Sequence, residues 1–130
     1  QPDKIFYIGL ALQKLGYNEK ADALFRKLIR YNADHLNDTV QIDYFAVSLP
    51  DLLVFEHDLS LKNQIHCHYI MGLGYLGLGE AKQAQEQFGH VLELDINHQG
   101  AWIHNKMNTD PSYFFNKVHS QLVNGETKRK

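Results

Sequence analysis

The residues best able to do chemistry in this chain are its histidines, eight in number, and a single cysteine, and they come closest together at His66-Cys67-His68. Imidazole and thiolate are metal ligands and nucleophiles, so the cluster invites both readings. On a helix, however, residues two apart point about 200° away from each other, whereas histidines that share one ion on a helix are spaced by four. His98 and His104 offer no better spacing, and no cysteine pair exists to build a zinc site. Metal: none is therefore expected. Cys67 is surrounded by no nucleophile motif and reads as a small buried hydrophobe. The glycines of Gly72-Leu-Gly-Tyr-Leu-Gly-Leu-Gly79 have the density of a phosphate-binding loop. They lack the preceding strand and the closing Lys-Ser/Thr that make such a loop bind. No pair of carboxylates stands apart from ordinary solvated faces. No catalytic residue, no cofactor and no enzymatic activity are expected.

Charge excludes two further classes of partner. With 13 Lys and Arg against 15 Asp and Glu, the formal net charge is -2, so there is no basic excess for a nucleic acid backbone or an anionic membrane surface. The longest apolar run, Ile70 to Leu78, contains three glycines and is far shorter than the roughly 20 residues a spanning helix needs. A compact fold of this length buries roughly two-thirds of its unfolded surface, enough for a true core. One cysteine allows no internal disulfide, which is compatible with a reducing, cytoplasmic setting. The chain opens on Gln1 with no charged-then-apolar leader, and reads as a piece of a longer protein.

The elements that position these residues show themselves through repetition. Shifting the sequence by 63 positions superposes Gly9 on Gly72, Leu10 on Leu73, Leu15 on Leu78 and Gly16 on Gly79, then Ala21 on Ala84, Phe25 on Phe88 and His35 on His98. Each window reads as two helices: an apolar pattern ending in Leu-Gly, a break, and a second amphipathic run with Ala and Phe four residues apart. Gly16 and Gly79 stand just past the last apolar residue, where a left-handed conformation ends a helix. Gly9 and Gly72 lie inside a helix at a cost of about 1 kcal/mol relative to Ala, which predicts a closely packed neighbour. Ala21 and Ala84 supply the matching small surface, and Phe25 and Phe88 fill the space between hairpins.

On these residues, 2–35 and 65–98 resemble tetratricopeptide repeats. The second copy matches better, with Gly72, Tyr75, Gly79, Ala84, Phe88 and Leu92 at the family's spacing and Leu94-Asp95 closing the unit. The first has Leu12 where an aromatic is usual and Ala33 where the family often has Pro; the second has Ile96 there. The resemblance implies an all-α fold: hairpins stacked in a short right-handed solenoid, with a helical insert and a C-terminal capping helix. The stretch from Asp43 to Ala101 also resembles the helical tail of large multidomain bacterial proteins that carry a β-rich domain of unknown function.

The expected organisation is a first hairpin over 2–35, a helical insert over 36–64, a second hairpin over 65–98, a partial third repeat with a capping helix over 99–123, and a polar tail over 124–130. Within the insert, Pro50 predicts a break between short helices near 39–48 and 51–56. Asp58 or Ser60 would then cap a long helix running to about Leu76. Beyond the second hairpin, Gln99 to Met107 reads as a third opening helix with Trp102 as its large aromatic. Asp110-Pro111 then starts a helix from Ser112 to about Val123, which would seal the last open face.

The family's ligand-facing spacing selects Phe6, Leu10, Gln13 and Lys14 on the first hairpin and His66, Tyr69, Leu73 and Leu76 on the second. The resemblance thus implies an apolar concave groove suited to an amphipathic helix or hydrophobic segment. Some family members grip a terminal carboxylate with Lys, Arg and Asn. The corresponding places here hold Phe6, Leu10, Ile70, Gly100 and His104, so that clamp is absent. The leading expectation is a non-enzymatic protein interaction or scaffold module that binds a protein or peptide segment. The alternative is an accessory helical domain that docks onto, or dimerises, a larger multidomain protein, a carbohydrate-active one being one candidate, with the insert, the C-terminal helix or another domain filling the groove. Self-association as a homodimer is a further outcome; no nucleic acid and no membrane are expected as partners.

Overall fold

The computed structural model describes residues 3–38, 49–110 and 112, and the regular elements among them are all α-helices: α1 (Asp3–Lys14), α2 (Asn18–His35), α3 (Leu49–Leu78), α4 (Ala81–Leu94) and α5 (Gln99–Thr109). Each helix packs on the next along the chain, and α1 and α5 both lean on α3. The all-α helical-repeat architecture read from the sequence is therefore the observed one.

The two hairpin turns are copies of one another. Gly16 and Gly79 have φ of 88° and 77°, the left-handed region that glycine enters without steric cost. At the first turn the Tyr17 amide donates to the Leu12 carbonyl and the Gly16 amide to the Gln13 carbonyl. At the second, Glu80 donates to Tyr75 and Gly79 to Leu76. This paired pattern satisfies the carbonyls that a helix end leaves over, and it reverses the chain within three residues at the first turn and two at the second.

The interior glycines make room for rings. A Cβ at Gly72 would meet the Phe88 ring at 2.5 Å, and one at Gly9 would run into the Phe25 ring. The Phe25 ring also rests on Gly77 of α3, so this side chain joins the two hairpins as the sequence predicts. Phe25, Phe88, Ala21 and Ala84 are all fully buried. Burying an aromatic of this size contributes about 1.5–3 kcal/mol, well above the roughly 1 kcal/mol that each helical glycine costs.

The insert differs from expectation. α3 begins at Leu49, with Pro50 in its first turn, where the missing amide has no intrahelical partner to lose. The helix then runs through Asp58 and Ser60 without interruption, so neither residue caps it and no separate helix ends near 56. The helix expected over 39–48, the C-terminal helix beyond Ser112 and the tail over 124–130 lie outside the described residues. At the edge of that region the Asp110 carboxylate accepts the Ser112 amide at 3.1 Å, as a capping residue does.

Polar ties fix the stack between helices. Asn63 of α3 donates to the His35 and Leu36 carbonyls at the end of α2 (2.9 and 3.3 Å). Gln13 of α1 donates to the Gly77 carbonyl at 2.9 Å, and Asn108 of α5 to the Ala81 carbonyl at 2.7 Å. The Asn63 and Gln13 amides meet carbonyls in the last turn of a helix or just past it, where carbonyls lack helical partners, while Asn108 meets one at the start of α4.

Candidate functional site

α1, α3 and α5 occupy the positions from which a concave face would be built, and their inner sides meet. Phe6, Leu10, Tyr69, Leu73 and Leu76 belong to one apolar core together with Ala101 and Met107 of α5. Phe6 is fully buried and Leu73 nearly so, while Tyr69 is 4 % exposed. Five of the eight residues expected to line an open groove thus hold the helices together. Among the described residues α5 packs on α3, and its His104 reaches Phe6 and Tyr7 of α1. Of the other three, Gln13 is half-buried and engaged with Gly77, and Lys14 and His66 are exposed.

His104 is the centre of this junction. It is buried on α5 and ringed by Phe6, Tyr7, Tyr69 and Phe88, with ring centroids 5.6, 6.0, 5.8 and 6.5 Å away. Its Nδ1 lies 2.8 Å from the Gly100 carbonyl, which can only accept, so Nδ1 carries the proton in the neutral ring. The same nitrogen is 3.1 Å from the Tyr69 hydroxyl, and Nε2 is left to accept from the Tyr7 hydroxyl at 3.3 Å. Gly100 is needed for this arrangement, because a Cβ there would meet the Tyr69 oxygen at 2.6 Å. Burial, and after it the Asp3 carboxylate and Tyr7, push the Tyr69 phenol above its ordinary range. Tyr7, Tyr69 and His104 thus form a hydrogen-bonded network in the core.

The His66-Cys67-His68 cluster splits as its spacing predicts. His66 faces solvent, whereas Cys67 is buried with its thiol 3.6 Å from the Asn63 side-chain oxygen. Burial, aided by Asp38, pushes that thiol up and disfavours the nucleophilic thiolate. His68 sits across the α3–α4 seam, with Nδ1 2.8 Å from the Gln87 amide oxygen and its ring 4.8 Å from that of His90. Among the described residues no group of three or more His, Cys, Asp or Glu could hold a metal ion, and no helix is long and apolar enough to cross a membrane.

The uncovered apolar side chains lie elsewhere. Ile5 and Ile8 are exposed on α1, and Leu15 in the turn that follows it. On α5, Trp102 is half-exposed beside a crevice of about 350 Å³ that it lines with Ile103, Asn105, Lys106 and Thr109. The Asn105 side-chain oxygen is buried there with no hydrogen-bond partner. These end faces were missed by reading the concave spacing alone. The signal that finds them is the repeat offset, which pairs Ile8 with Met71 and Leu15 with Leu78.

Compared with known proteins, residues 6–35 match the family model described as tetratricopeptide repeat. No solved structure matches the chain.

Proposed function

Given a chain that carries a tetratricopeptide repeat at residues 6–35, a repeat that generally mediates protein–protein interaction, we propose that this protein is a non-enzymatic interaction or scaffold module. The observation that carries this reading is the placement of apolar surface. Cys67 and His104 are buried, while Ile5, Ile8, Leu15 and Trp102 are among the large apolar side chains left exposed. The groove residues Phe6, Leu10, Tyr69, Leu73 and Leu76 act as its framework. A protein or peptide segment engages the rim at Gln13, Lys14 and His66 and the flanking end faces.

The closed junction favours a second reading, an accessory helical domain that docks onto another domain of a larger protein. With Phe6, Tyr69 and Leu73 buried in the core, exposed side chains outside that junction make the contacts in this reading. Site-specific photo-crosslinking in the native cells separates the two. A photoreactive residue at Lys14 or His66 is expected to give a discrete protein adduct, with the exposed Lys82 of α4 as control. An adduct to a separate protein supports the module reading, and one within the same polypeptide supports the accessory domain. No adduct beyond that at Lys82 refutes both.

A further inference from the structure

Folding brings His68 of α3 and His90 of α4 together across the second hairpin. They flank the Gly79 turn at equal distances along the chain, so the two antiparallel helices set them opposite one another. Their ring centroids are 4.8 Å apart, with the planes at 36°. Both side chains are partly buried, and both turn Nδ1 to an oxygen of α4. His68 Nδ1 donates to the Gln87 amide oxygen at 2.8 Å, and His90 Nδ1 lies 3.8 Å from the Glu93 carboxylate, which can only accept. An acceptor beside Nδ1 holds the proton there and leaves the lone pair on Nε2, which is how proteins orient a metal-binding imidazole. Neither Nε2 has a hydrogen-bond partner among the described residues.

We propose that His68 and His90 together bind one divalent transition-metal cation, such as zinc, through Nε2, with water in its remaining positions. Two imidazoles sharing one ion through bonds of about 2.0–2.1 Å, at angles of about 90–109°, hold their ring centres about 4.5–5.2 Å apart. The observed separation of 4.8 Å lies inside that interval. Imidazole nitrogen suits zinc, nickel and copper, whereas magnesium and calcium take oxygen ligands. Two protein ligands instead of four make the site an exchangeable one, unlike a closed structural zinc centre. The bound ion ties α3 to α4 away from their glycine turn.

The repeat frame by itself does not call for these residues. At the repeat offset the first hairpin has Ile5, Leu24, Lys27 and Arg30 in the places of His68, Gln87, His90 and Glu93. An apolar residue and a lysine therefore serve at the equivalent seam, and the two imidazoles with their two acceptors are particular to the second hairpin. His66 and His68 point apart because they sit two residues apart on one helix, but His68 finds its partner on the next helix, where that restriction does not apply.

The test titrates the full chain with zinc chloride, read by calorimetry and by the ring-nitrogen resonances of the isotope-labelled histidines. One ion per chain is expected, with the Nε2 signals of His68 and His90 moving together and magnesium chloride producing neither effect. His68→Ile and His90→Lys, which install the first hairpin's residues, should each weaken zinc binding by about tenfold or more, because a single imidazole remains. Circular dichroism should show both variants folded. His66→Ala, at the exposed neighbour, should leave zinc binding unchanged. Affinity that survives either substitution, or no saturation by about 1 mM zinc, overturns the proposal. Should a variant lose its helical spectrum, the wild-type resonances decide: zinc shifts that reach only one of His68 and His90, or only other histidines, overturn the proposal as well.

Discussion

Alanine in place of glycine should change sign from one helix position to another, and Gly77 and Gly89 give the sharpest contrast. Inside a helix the exchange by itself stabilises by about 0.8–1.0 kcal/mol, because glycine surrenders more backbone freedom on folding. At Gly89 of α4 an added Cβ meets nothing within 4 Å, so that gain stands whole. At Gly77 the added carbon lands on the ring of Phe25. The ring is fully buried and also rests on Gly9 of α1, so it has little room to swing. Overpacking of this kind costs about 1–3 kcal/mol, which outweighs the backbone gain and leaves a net loss of about 1 kcal/mol. The two variants should differ by about 2 kcal/mol, or roughly 8 °C in melting temperature for a chain of this size. Thermal and urea melts followed by far-ultraviolet circular dichroism read this directly. Gly77→Ala melting at or above the wild type, with Gly89→Ala raised as expected, would refute the claim that Phe25 is clamped between α1 and α3.

Three other substitutions and titrations probe the junction. Leu73→Glu should unfold the chain rather than open a binding face, since it places a carboxylate at a site 1 % exposed and costs several kcal/mol; a native helical spectrum would contradict the closed core. The Tyr69 phenol is raised in the folded state relative to an ordinary value near 10, so the stability it lends is complete below about pH 10 and is lost as pH climbs above it. Urea midpoints should thus fall in alkali, and Tyr69→Phe should flatten that fall. Cys67, buried and pushed up, should resist alkylation in the native chain and react freely in urea; equal rates would show that the thiol is open.

What the sequence made legible was whatever depends on near neighbours. Gly16 and Gly79 announce their turns because a left-handed residue after an apolar one has few other uses. Gly9, Gly72, Ala21, Phe25 and Phe88 announce their packing because small and large residues recur at one offset. The start of α3 was not legible: Asp58 and Ser60 look like caps, and only the fold shows that Pro50 opens the helix. Nor was the state of Phe6, Tyr69 and Leu73. Their spacing is that of a groove, but the contact that buries them joins α1 to α5 through residues as far apart as Tyr7 and His104. Local periodicity cannot register a pairing of that range.

The Tyr7–His104–Tyr69 network has a mechanical consequence. In an open helical array each unit touches only its immediate neighbours, so the array stretches and bends by small rotations at successive interfaces, as a spring does. Here His104 fastens the first helix of the series to the fifth, across the third. A clasp between non-adjacent turns of a coil removes its compliance, and extension must break the clasp before any single interface can rotate. This stretch of chain should behave under load as a rigid strut that gives way in one step.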